Sequence, residues 1–157
     1  MKTGTKWLKG LVVSGIVLGL VMSFSTGVYA KNVIKLGCAM SFTGKKSRTG
    51  KLYVDSLKLA TEAINKAGGI KVGGKAYSVK IVFYDDKSDA AESAKLIEKL
   101  IVEDKVNFLL GPYSSGVTIP DSIVAQRYKI PMVEGGGASG KIFSRKNPYI
   151  FGTLPSA

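Results

Sequence analysis

Short apolar runs and helix-periodic stretches alternate four times between residues 33 and 133, and this alternation admits few folds. Segment 33–39 alternates and then runs apolar, as a buried strand does, and 40–50 reads as the loop after it. Val54, Leu57, Thr61, Ile64 and Ala67 then recur at helical spacing, and Gly68-Gly69 stops the pattern as a left-handed C-cap would. Gly73-Gly74 allows a tight turn into 77–84, whose β-branched and aromatic residues predict a second strand, closed by Asp85-Asp86. Ser88 or Asp89 can cap a second helix, with Ala90, Ala94, Ile97 and Ile101 on its apolar face. A third strand is predicted over 106–110, ended by Gly111-Pro112. A third helix is suggested by Val117, Pro120, Ile123 and Val124, with Pro120 tolerable only near the first turn. A fourth strand over 130–133 leads into the glycine-rich loop 135–140, and 149–151 begins a fifth. The whole predicts an α/β fold, a doubly wound parallel sheet flanked by helices.

The first thirty residues follow other rules. Lys2, Lys6 and Lys9 precede an uncharged apolar stretch over 10–24, broken by Ser14, Gly15 and Gly19 and shorter than the ~20 residues a bilayer requires. Val28-Tyr29-Ala30 places small residues where a signal peptidase inspects them. Residues 1–30 therefore read as a secretory signal peptide cleaved after Ala30, leaving a soluble chain in an extracytoplasmic space. Cys38 lies beyond Lys31 and Lys35 within a strand pattern, too far on to carry a lipid anchor.

The net charge of +12 resembles a nucleic-acid signature, but three lysines belong to the leader. Removing them from 23 basic residues leaves 20 against 11 acidic ones, a net +9 scattered as single lysines. Only Lys45, Lys46 and Arg48 approach a cluster, so a solvated basic surface is expected and nucleic acid is not. Histidine is absent and cysteine occurs once, which removes imidazole catalysis, His/Cys metal clusters and an internal disulfide from what this segment can build. No nucleophile and base pair can be named, so no enzyme and no cofactor are expected.

Ligands of an open parallel sheet bind beyond the carboxyl ends of its strands, which singles out loops 40–50, 85–88, 111–116 and 134–140. Loop 111–116 joins a strand to a helix start, where unpaired N–H groups and the positive dipole end favour a carboxylate or phosphate. Ser115 can add a hydroxyl donor there; alternatively, Ser114 or Ser115 is simply the helix N-cap. Residues 135–140 satisfy the G-x-G-x-x-G dinucleotide pattern, yet in the wrong strand-to-helix turn and with little room for a helix before Pro148. Asp85, Asp86 and Glu134 are the rim acids. They can pair or hold a cation, Glu134 can meet a ligand ammonium, and Asp85 or Asp86 can cap the next helix.

Ile34-Lys35-Leu36-Gly37 through Met40-Ser41-Phe42-Thr43-Gly44, Ala67-Gly68-Gly69-Ile70, Tyr84-Asp85-Asp86 and Gly111-Pro112-Tyr113-Ser114-Ser115 together carry a family likeness. In their order and spacing they resemble the leucine/isoleucine/valine-binding family of periplasmic binding proteins, over essentially all of 31–157. Val133-Glu134-Gly135-Gly136-Gly137-Ala138 and Phe151-Gly152-Thr153-Leu154-Pro155 are similar to its hydrophobic amino-acid branch.

The resemblance implies one lobe of a type I periplasmic-binding-protein fold, the amino-terminal lobe over 31–157, with a second lobe and hinge elsewhere. It also implies a periplasmic monomer that takes an amino acid or a related small carboxylate and docks on ABC permease subunits. Residue by residue, Ser115 holds the ligand carboxylate and the Gly136 backbone joins it. Ala138 stands where the best-known members have a threonine, and Thr49 where they have a tyrosine that packs on the ligand. Ser139 can replace the missing hydroxyl from one position along. Ser88 and Ser114 stand where some members have a disulfide. The expected ligand-binding set is Ser114, Ser115, Gly136, Gly137, Ala138, Ser139 and Thr49. A sensor domain of the same fold signalling to a protein partner shares these features, whereas a nucleotide-using enzyme would rest on the G-x-G-x-x-G match alone.

Overall fold

The structure, a computed structural model, describes residues 32–155; the leader and its cleavage site lie outside the described residues. Six strands form one sheet in the order β2-β3-β1-β4-β5-β6. They are β1 (Val33–Met40), β2 (Ile70–Val72), β3 (Lys75–Asp85), β4 (Phe108–Leu110), β5 (Met132–Glu134) and β6 (Ile150–Gly152). Three helices connect them: α1 (Ser47–Lys66), α2 (Ala90–Val102) and α3 (Ser115–Tyr128), and a 3-10 turn covers Gly140–Ile142. β1 pairs in parallel with β3 from Val33↔Ser78 to Met40↔Asp85 and with β4 at Leu36↔Phe108 and Gly37↔Leu109. The chain leaves β1 toward one edge and returns to fill the other, so the strand order reverses beside β1. The carboxyl ends of β1 and β4 therefore flank the crevice that such sheets use for ligands.

Alternation along β1 divides its side chains between two cores. Cys38 and Met40 join Val54 of α1, with Phe42, Tyr53, Leu57, Ile81, Phe83, Leu110 and Tyr113 packed around them. Ala39 faces the opposite side, with Ile97 and Leu100 of α2, Val124 and Ala125 of α3, and Leu109, Met132, Ile142 and Ile150. Met40 and Leu109 are fully buried, each contributing about 1.5–3 kcal/mol by removal of apolar surface from water. Asn65, at the end of α1, pins the helix to the sheet. Its amide donates to the Val79 carbonyl at 2.9 Å and its carbonyl accepts the Val79 N–H at 2.8 Å.

The expected α/β sheet flanked by helices is found, and several details differ. The sheet is mixed, because Ile70–Val72 forms an antiparallel edge strand on β3 around the Gly73-Gly74 turn, where φ is +55° and +78°. This strand is exposed throughout and only three residues long, so its Ile70-Lys71-Val72 alternation is too short to read as a strand. Loop 40–50 is shorter than expected, since α1 begins at Ser47 and takes in Thr49 and Gly50. Gly50 looks like a helix breaker but serves contact: a Cβ there would lie 2.1 Å from the Ser41 carbonyl oxygen. The apolar face of α1 fades after Val54, leaving Ile64 exposed. Pro120 is the sixth residue of α3, beyond the first turn, and Ile123 points to solvent; the buried face is Val117, Thr118, Asp121, Ser122, Val124 and Ala125. Polar residues on that face obscured its period. The left-handed glycines at the end of α1 are found, Gly68 at φ +94° and Gly69 at +85°.

Candidate functional site

The rim begins with two adjacent acids at the end of β3. Asp85 accepts the N–H groups of Phe42 at 2.9 Å, Thr43 at 3.2 Å and Lys87 at 2.9 Å, and the Thr43 hydroxyl at 2.8 Å. Burial pushes its pKa up, but the bonds from Lys87, Thr43 and Phe42 outweigh it and hold the carboxyl below its ordinary value. Asp86 is fully buried, accepting the Ser41 hydroxyl at 2.6 Å and the Ser88 N–H at 2.7 Å, and burial raises its pKa. The pair thus ties the loop after β1 to the loop after β3. Capping of α2 falls to Asp89, whose Oδ1 accepts the Glu92 N–H at 2.7 Å. Among the described residues no group of three acid, Cys or His side chains is placed to hold a metal ion.

The glycine-rich loops form the centre of the rim. Ser114 sits at the N-cap of α3 without a side-chain cap bond, while its carbonyl accepts the Val117 and Thr118 N–H groups, each at 3.0 Å. Ser115 opens the helix, and no acidic side chain occupies its first turn. The Ser115 Oγ accepts the Ser139 N–H at 3.1 Å, joining the loop after β4 to the loop after β5. Ser139 in turn accepts the Lys141 N–H at 3.3 Å, capping the 3-10 turn. The loops touch closely elsewhere: a Cβ on Gly136 would lie 2.8 Å from the Pro112 carbonyl oxygen, and one on Gly137 would lie 3.2 Å from Ser115 Cα. Ser114, Ser115, Gly136, Gly137, Ala138 and Ser139 are thus gathered at one place.

Beneath them lies Glu134, fully buried. Its Oε1 accepts the N–H groups of both Gly136 and Gly137, and its Oε2 accepts the Thr118 hydroxyl at 2.8 Å. Burial raises its pKa, against the bonds from Thr118, Gly136 and Gly137. Glu134 is therefore enclosed below the loop rather than open to a ligand ammonium, and the Gly136 N–H is committed to it. Neither amide is offered to a phosphate, and only the three-residue 3-10 turn follows the glycines where the dinucleotide pattern needs a helix.

Thr49 lies on α1, half-buried, one helical turn before Tyr53. Tyr53 is the residue the sequence reading missed: its hydroxyl would lie 2.4 Å from a Cβ on Gly135, so the phenol reaches the glycine loop. Burial, with the charge of Glu134 behind it, raises its pKa. The i to i+4 spacing from Thr49 is the available signal, and it shows only once Thr49 is placed on the helix.

The sequence profile of the family described as periplasmic binding protein matches residues 33–157. The chain belongs to the periplasmic binding protein family. It is 29% identical over 154 residues to the leucine-, isoleucine-, valine-, threonine- and alanine-binding protein of Pseudomonas aeruginosa, covering 98% of this chain and 39% of that one. A branched-chain amino acid transporter substrate-binding protein of Streptococcus pneumoniae, crystallised with isoleucine, superposes with a TM-score of 0.72 at 27% identity, over 80% of this chain and 34% of that chain. A solute-binding protein of an R. palustris ABC transporter, in complex with 4-hydroxybenzoate, gives 0.64 at 30% identity over 80% and 32%. This periplasmic binding protein thus spans 32% to 39% of the length of such relatives and has the architecture of a single lobe of their fold.

Proposed function

We propose that this chain is the amino-terminal lobe of an extracytoplasmic solute-binding protein that serves an ABC importer, exported by a leader cleaved after Ala30. Its ligand is an amino acid or related small carboxylate, held where this lobe meets a second one, and its work is capture by hinge closure. The observation that carries the reading is the Ser115 to Ser139 contact at the start of α3. That bond uses Ser115 Oγ as an acceptor and leaves its O–H free to donate, beside N–H groups of the first helical turn that have no intrahelical partner. Isoleucine and 4-hydroxybenzoate, found in two of the related structures, share a carboxylate and little else. A rim of donors on this lobe matches that shared end, and Thr49, Tyr53 and Ala138 border the space for the remainder.

The test is calorimetric titration with amino acids and aromatic carboxylates. In a two-lobed protein carrying this lobe, Ser115→Ala weakens binding by about 1 to 3 kcal/mol, because a charged partner loses its donor. Unchanged affinity removes Ser115 from the site. The 157-residue chain alone, with one wall of the cleft, binds its solute weakly; affinity in the micromolar range or tighter refutes a shared cleft.

A further inference from the structure

The geometry points to Glu134 as a positioning residue that makes the 135–137 loop selective for ligands bearing a positive charge next to their carboxylate, an inference that rests on the solute-binding reading above. Two consecutive N–H groups, those of Gly136 and Gly137, turn inward onto one buried carboxylate oxygen. Among the described residues no peptide bond is cis. In a trans peptide the N–H and C=O of one unit point in opposite directions, so the Gly135 and Gly136 carbonyls are driven away from Glu134. Neither carbonyl accepts a hydrogen bond from any described residue. They form an acceptor pair on the loop that the Ser139 N–H ties to Ser115, so the loop as a whole presents complementary groups to a zwitterion.

The surroundings hold Glu134 in this role. Thr118 from α3 fixes its second oxygen, and its own main-chain carbonyl accepts the Thr153 N–H at 2.8 Å beyond β6. Gly111 at the end of β4 makes room for it: a Cβ there would lie 2.0 Å from Oε2. The titratable groups facing it are Asp121 on α3, Tyr53 on α1 and Cys38 on β1, none of which brings positive charge. The carboxylate is thus balanced by hydrogen bonds from the loop it orients. Protonation removes an acceptor, and burial shifts that event upward from the group's ordinary pKa.

The experiment titrates the exported protein by amide NMR, which registers weak binding, with isoleucine as zwitterion and 4-hydroxybenzoate as carboxylate without ammonium. Binding of neither by the wild type overturns the solute-binding reading itself. Binding of 4-hydroxybenzoate alone keeps that reading and overturns this inference. Where isoleucine binds, Glu134→Ala weakens it about tenfold or more and leaves 4-hydroxybenzoate within about threefold. Equal losses for both ligands, or none, overturn the positioning role. Should the variant fail to fold, the wild type decides through pH. As pH is lowered and Glu134 takes up its proton, the Gly136 and Gly137 amide shifts move together, and the isoleucine preference falls with them. A preference that stays constant while those amides titrate overturns the inference, as do amides that do not titrate.

Discussion

Ser93 of α2 donates its hydroxyl to Asp121 of α3 at 2.7 Å, inside an interface where both side chains are fully buried. The other Asp121 oxygen has no hydrogen-bond partner among the described residues. Burial, reinforced by the negative charges of Asp86 and Glu134, pushes the Asp121 pKa up to about 8. Between roughly pH 4 and pH 8 the folded chain keeps this proton while an unfolded aspartate, with a pKa near 3.9, has lost it. Folding stability therefore falls as pH rises through that window, by up to about 1.4 kcal/mol per pH unit from this group. Urea unfolding across the window should show the decline, and Asp121→Asn should flatten it. An unaltered slope in the variant would show that another group carries the decline.

Asp85 behaves in the opposite sense. Its folded pKa is depressed, so its contribution is present above the unfolded value and disappears as pH falls through the folded one. Asp85→Ala should loosen the 41–46 loop at neutral pH, seen as faster hydrogen exchange at Phe42 and Thr43, with little further change on acidification. Exchange rates matching the wild type at pH 7 would show the loop to be held by other contacts.

Two glycines in first turns of helices should respond in opposite directions to one substitution. Gly50→Ala drives a methyl group into the Ser41 backbone and should destabilise the fold by about 1–3 kcal/mol. Gly116→Ala meets nothing within 4 Å at an exposed position of α3 and should stabilise the fold by about 0.5–1 kcal/mol. Thermal unfolding of the two variants checks both signs.

The fold was legible where local pattern and tertiary need coincide. The strand β1, the glycine stop after α1 and the Asp89 cap are written in residues whose conformational preference matches their position. Legibility failed where contact overrides preference. Gly50 breaks a pattern yet lies inside a helix because Ser41 leaves no space, and Thr118, Asp121 and Ser122 are polar yet line the inner face of α3. At the rim, the sequence indicated which loops converge, since this follows from topology. It did not indicate which way the Gly136 and Gly137 peptides face, because this depends on a carboxylate two and three residues earlier folding back beneath them.

Cys38, wholly enclosed between β1 and α1 with its thiol pKa raised by burial, gives the chain its own clock. A disulfide reagent cannot meet a thiolate there until the sheet and helix part, so the rate of modification reports how often this lobe opens. Because the sequence contains one cysteine, that signal carries no background from a second site.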